Sequence, residues 1–252
     1  MPYIMTVDMP SSSFISALSI TSPTPSPSKT HPPVNNAPLV LAQCHFSIDA
    51  FQNSEFEQFN IPMPARLQRA VTKRRSEFLA GRLCAQQSLS QLGIEKHVGC
   101  TEEHRYPLWP SGCIGAITHS HGIAGALTGL AQHWQGIGLD IEHWIEVDSA
   151  QHLAKAILQP HEFDVLSRDP EVFAHQLTLV FSAKETLFKA LNPLTGTPFY
   201  FHDASVKKLD EETLTLQLDC KLSGYWHPGM TLDCQYRYFS THVMTWLTIA
   251  SH

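Results

Sequence analysis

The segment from Phe173 to Leu191 constrains this 252-residue chain more than any other. Phe173, Leu177, Val180, Phe181, Leu187, Phe188 and Leu191 recur at three- and four-residue intervals. That spacing predicts a long helix with one wide apolar stripe against a core. Lys184 and Glu185 fall inside the stripe, because 184 is seven residues from 177 and 191 while 185 is four from 181. Charges on a core-facing stripe are costly unless they are paired or bound to something. Any fold built on this helix must supply partners for an ammonium and a carboxylate.

Other segments offer such partners. Gly136–Ile141 reads as a strand running into Asp140 and Glu142, whose side chains share one face because strand side chains alternate. Gly136 and Gly138 predict close approach of another backbone there. With Glu185 from a packed helix as third member, the two carboxylates compose a hard-oxygen site of the kind that suits Mg²⁺. A solvated strand face is the other reading of Asp-x-Glu. Lys189 follows Glu185 by four. That spacing fits a helix ion pair worth a few tenths of a kcal/mol, or an ammonium beside a metal-bound phosphate. Thr118-His119-Ser120 ends a strand that contains Gly115 and Ala116. Its imidazole is either a phosphate contact or a satisfied, partly buried histidine.

From Ala65 a helical pattern runs through Phe78, Leu79, Leu83, Ala85, Leu89 and Leu92, with Gly93 as its stop. Six of the 17 basic residues crowd into 66–82: Arg66, Arg69, Lys73, Arg74, Arg75 and Arg82. Guanidinium forks suit phosphate, although a solvated charged face explains such a run equally. Pro107-Leu-Trp-Pro110 with Ser111-Gly112 reads as a rigid turn, and Gly115–Ser120 and Gly122–Ala131 read as strands. Residues 149–192 read as two helices, and the remainder as strands closing with Met244–Ile249.

Composition removes several classes. A net charge of −6 argues against a dedicated nucleic-acid binder, and no run of 18 apolar residues offers a membrane span. No Lys or Arg occurs before Lys29, so a secretory n-region is missing. The six cysteines include no CxxC pair, which predicts reduced thiols in a cytoplasmic protein. Residues 1–38 hold 8 of the 17 prolines, 8 serines and only two charges, and read as a flexible tail.

Taken together, five segments resemble the 4′-phosphopantetheinyl transferases of the surfactin/enterobactin-synthase type. They are Lys73-Arg-Arg-Ser-Glu-Phe-Leu-Ala-Gly-Arg82, Pro107-Leu-Trp-Pro110, Gly115-Ala-Ile-Thr-His-Ser120, Gly138-Leu-Asp-Ile-Glu142 and Phe181-Ser-Ala-Lys-Glu-Thr-Leu-Phe-Lys-Ala-Leu191. The resemblance covers about 65 to 195. It implies an α+β fold of two similar, pseudo-symmetric halves with the active site and coenzyme A in the cleft between them. Residues 39–132 would form the nucleotide-binding half and 133–252 the half with the metal and catalytic groups. It implies transfer of the phosphopantetheine arm from coenzyme A to a serine of an apo acyl or peptidyl carrier protein, with release of 3′,5′-ADP.

The resemblance also assigns roles by position. Asp140, Glu142 and Glu185 match a Mg²⁺ site on the pyrophosphate, and Glu185 also activates the serine, directly or through water. His119 matches a phosphate-contacting histidine, with Thr118 beside it as a cofactor contact. Arg74 and Arg82 match residues holding the 3′-phosphate, and Lys184 and Lys189 match lysines near the pyrophosphate. Where relatives often place a basic residue ahead of the Pro-x-Trp-Pro turn, Arg105 is the candidate. Siderophore or other nonribosomal-peptide, polyketide and fatty-acid carriers all stay open, and a monomer would suffice. The rival readings are a non-catalytic relative that binds a nucleotide or carrier, and a Mg²⁺-dependent phosphohydrolase.

Overall fold

Alternating burial organises the first part of the chain. The computed structural model describes residues 5–6, 12–23, 37–100 and 106–251, and the chain divides into two compact units centred on Val34–Gln135 and Gly136–Ala250. In the first unit, β1 (Met5–Thr6), β2 (Ile15–Thr21), β3 (Leu39–Phe46), β6 (Cys113–Ser120) and β7 (Ile123–Leu130) form a sheet in the order β1-β2-β3-β7-β6. Between β3 and β6 come the short helix α1 (Glu55–Gln58), the helix α2 (Thr72–Ser90), and a two-stranded pair, β4 (Gly99–Cys100) and β5 (Pro107–Leu108). The helix α2 lies across β3 and β7, burying Leu79, Ala80 and Leu83 in a core shared with Val40, Ala42 and Ala126. Shortly after it, Gly93 turns the chain with φ +76°, a conformation that costs glycine least.

The expectation of a flexible tail over residues 1–38 is corrected by β2 where the chain is described, while 1–4, 7–11 and 24–36 lie outside the described residues. Ile15–Thr21 pairs antiparallel with β3, and Phe14, Ile15, Leu18 and Ile20 are buried in the core. Between Ser16 and Ser19 the register shifts, a bulge that lets Ile15 and Leu18, three residues apart, both turn inward. Serine and proline content hid this strand, because few apolar side chains suffice when each one is buried. Without it, β3 would present an unpaired edge.

The second unit repeats the plan. Here β8 (Trp134–His143), β9 (Ala204–Leu209), β10 (Thr213–Leu218), β11 (Thr231–Tyr238) and β12 (His242–Ala250) form a sheet in the order β8-β12-β11-β10-β9. The helices α3 (Val147–Ile157) and α4 (Pro170–Thr195) pack on each other, and α4 lies against β12. Asp169 starts α4 by accepting from the backbone N–H groups of Glu171 and Val172, each at 3.1 Å, with Pro170 at the first helical position. The expected close approach is real. A Cβ at Gly138 would lie 2.0 Å from the carbonyl oxygen of Thr186, so α4 can sit this near β8 only over a glycine. All six cysteines are free thiols, and among the described residues no helix is long and apolar enough to cross a membrane.

Because β2 is core structure, a chain beginning after Thr24 should lose most of its soluble expression or show a clearly lowered urea midpoint. Removal of a true tail would leave the midpoint unchanged.

Candidate active site

The basic face of α2 carries one half of the chemistry. Arg74, Phe78 and Arg82 succeed one another at four-residue spacing and so lie near one another along the helix. The Arg74 Nη1 lies 3.1 Å from Nε2 of His119, which stands on β6. Glu77 adds a carboxylate, 4.0 Å from Arg74 Nη1, 3.8 Å from His119 Nδ1 and 3.9 Å from Lys73 Nζ. Two of the expected phosphate contacts, Arg74 and His119, are therefore brought together within the first unit.

Arg82 is only 7% exposed, and its guanidinium lies 4.9 Å from the ring centroid of Phe78. Its Nη1 has no hydrogen-bond partner among the described residues. Burial, opposed by Cys100 and aided by the charges of Arg66 and Arg74, lowers its pKa to about 10. This guanidinium lines a cavity of about 280 Å³ with Pro62, Met63, Phe78, Gln86 and Cys100 among its walls. A buried cation near two others, on the wall of a cavity and with a donor unpartnered among the described residues, suits an anion.

Thr118 turns its side chain away from that of His119. Along β6 burial alternates, and Thr118 (3% exposed) faces the side of the sheet opposite His119. The two neighbours expected to act side by side are separated by the pleat itself. Arg105 lies outside the described residues.

In the second unit, Asp140 is the centre. It stands on β8, 3% exposed, and its two oxygens are used differently. Its Oδ1 accepts from Lys189 Nζ at 2.6 Å, while Oδ2 accepts from Ser182 Oγ at 2.9 Å. Glu185 stands one turn before Lys189 on α4, and its pKa is raised by burial and by the Asp140 charge, against the pull of Lys189. Strand alternation puts Glu142 on the same side of β8 as Asp140, half-buried.

One expectation, that of Lys184, needs correction here. Among the described residues, no group of three His, Cys, Asp or Glu side chains forms a ready ligand set. Asp140 meets the ammonium of Lys189 and the hydroxyl of Ser182. Lys184 is not a pyrophosphate contact. Its ammonium is 3% exposed as a residue and donates to Glu162 Oε2 at 2.8 Å, to the carbonyl of Ile157 at 2.8 Å and to that of Phe201 at 2.9 Å. Three donors meet three acceptors, so none is left for a phosphate. Burial lowers the Lys184 pKa, while the bond to Glu162 opposes that shift. The fully buried Glu162 accepts in turn from the backbone of Gln159 and Val206, both at 2.7 Å.

Comparison with known proteins fits this distribution of groups over two units. A model of the 4′-phosphopantetheinyl transferase N-terminal domain matches residues 63–129, and one of the 4′-phosphopantetheinyl transferase superfamily matches residues 136–242. Enterobactin synthase component D of Salmonella typhimurium is 35% identical over 185 residues, 72% of this chain and 76% of that protein. The protein of that name from Escherichia coli K12 is 39% identical over 139 residues, 55% of this chain and 65% of its own length. The transferase PptT of Mycobacterium tuberculosis is 32% identical over 148 residues, covering 58% and 64% of the two chains.

The chain belongs to the 4′-phosphopantetheinyl transferase family. It is an enzyme with coenzyme A as substrate, transferring phosphopantetheine to carrier proteins. For this transferase, sequence reasoning missed Glu77, Glu162 and Ser182. Glu77 was findable, since it lies three and four residues beyond Arg74 and Lys73. Glu162 gave no signal, because only tertiary packing brings it to Lys184 across 22 positions.

Lys184→Met should lower stability by about 3–5 kcal/mol, as expected when one partner of a buried pair is removed. The folded fraction should keep its KM for coenzyme A. A tenfold rise in KM at unchanged stability would return Lys184 to the cofactor site.

Proposed function

We propose that the transferase moves 4′-phosphopantetheine onto a carrier serine in a Mg²⁺-dependent reaction that releases 3′,5′-ADP. The observation that carries this reading is Asp140, a buried carboxylate ion-paired with Lys189 and electrostatically coupled to Glu185. Asp140, Glu142 and Glu185 are hard oxygen donors, and the proton affinity of Glu185 is raised partly by Asp140. A divalent cation relieves such mutual repulsion, so the residues fit Mg²⁺. These three would hold it, and when bound it would neutralise charge on the pyrophosphate.

The chain's own groups then divide the work. Residues 39–132 hold the nucleotide: Arg74 and Arg82 take the 3′-phosphate, and His119 contacts the phosphates. Residues 133–252 perform the transfer. The serine oxygen forms a bond to the phosphorus carrying the pantetheine arm, and the bond from that phosphorus to the 3′,5′-ADP oxygen breaks. Glu185 takes the serine proton, a role that suits a carboxylate raised above its ordinary range. Lys189 compensates the negative charge that develops on the leaving group. We further propose a cytoplasmic monomer acting on carriers of siderophore or other nonribosomal-peptide, polyketide or fatty-acid synthases.

Glu185→Gln and Asp140→Ala should each lower turnover at least ~100-fold while the fold persists, in keeping with loss of a positioned base or charge partner. The mass of an apo carrier incubated with coenzyme A and Mg²⁺ reports it, and EDTA should abolish the wild-type mass gain. Near wild-type conversion by either variant would remove that residue from the mechanism. Nucleotide release without any carrier would identify a phosphohydrolase instead.

A further inference from the structure

Beneath Asp140 runs a chain of hydroxyls that the reaction as described does not use. Ser182 Oγ lies 2.9 Å from Asp140 Oδ2 and 2.9 Å from Thr245 Oγ1. The Thr245 hydroxyl lies 2.6 Å from Thr186 Oγ1, which also reaches the Thr245 carbonyl at 3.3 Å. Ser182, Thr186 and Thr245 are wholly buried. They come from two elements: Ser182 and Thr186 are one turn apart on α4, and Thr245 is on β12, the strand next to β8.

The direction of every bond in this chain is determined. A carboxylate only accepts, so the single proton of Ser182 goes to Asp140. Thr245 must then donate to Ser182, and Thr186 must donate towards Thr245. Thr245 and Ser182 each receive a bond and donate one onward, so the bonds polarise one another in the same sense. The carboxylate at the end is held by Oδ2, which aims Oδ1 at the side where Lys189 stands.

We infer that Ser182, supported by Thr245, is a positioning residue that orients Asp140 for the divalent ion. The inference rests on the reading of Asp140 as an ion ligand. Groups that hydrogen-bond a metal-ligating carboxylate commonly change ion affinity about 10- to 100-fold when removed. The hydroxyl chain also explains why α4 must approach β8 so closely at Gly138. A helix held one side chain further away could not reach Asp140 with so short a residue as serine.

Calorimetric titration of Mg²⁺ into protein and coenzyme A, without carrier, tests this apart from turnover. Ser182→Ala should weaken Mg²⁺ uptake by about 10-fold. Thr245→Val, similar in shape but without the hydroxyl, should weaken it less, and Thr245→Ser should match wild type. A merely structural role predicts the reverse for the last pair, since Thr245→Ser opens a small void and Thr245→Val does not. Wild-type affinity in both Ser182→Ala and Thr245→Val overturns the inference. Should wild type bind Mg²⁺ and Asp140→Ala not, that result leaves the ion reading standing. If wild type itself takes up no Mg²⁺ with coenzyme A, the ion reading fails and the inference falls with it.

Discussion

The approach of α4 to β8 over Gly138 is the constraint on which the second unit's chemistry depends. It lets one helix deliver Ser182, Glu185 and Lys189 to one strand carboxylate. A helix repeats every 3.6 residues, so positions 182, 185 and 189 lie on one side, while Lys184 turns off it towards Glu162. Adjacent residues thus have different tasks: Lys184 ties α4 to the end of α3 at Ile157 and to Phe201, and Glu185 faces the site.

Both units use the same physical device, an expensive charge held in place by a small number of specified partners. In the first, Arg82 is buried against Phe78, lines a cavity and keeps a donor unpartnered among the described residues. In the second, Asp140 is buried with an ammonium on one oxygen and a hydroxyl on the other. Desolvation makes such groups respond strongly to a ligand of opposite charge, which is useful to an enzyme handling a triply phosphorylated substrate. The Lys184–Glu162 pair differs, because its donors and acceptors are saturated internally and it acts as a fastening.

Much of this was legible in advance, and the failures have identifiable causes. The long helix, the Gly138 approach and the identity of Asp140, Glu185 and Lys189 as a charged set follow from periodicity and motif order. The β2 strand was masked because low-complexity composition averages over Phe14, Ile15, Leu18 and Ile20, whereas burial acts on each of them. Thr118 was grouped with His119 by adjacency, yet neighbours on a strand face apart.

By itself, the amino-acid sequence determined which groups are costly to bury and therefore must find partners: Lys184 and Glu185 in an apolar stripe. Tertiary structure alone decided who those partners are. Spacing along one helix or strand fixes a direction, but Glu162, Ser182 with Thr245, and Lys189 on Asp140 meet across elements far apart in the chain. Their pairing depends on the distance between a helix and a sheet, and a missing Cβ at Gly138 sets that distance for α4 and β8.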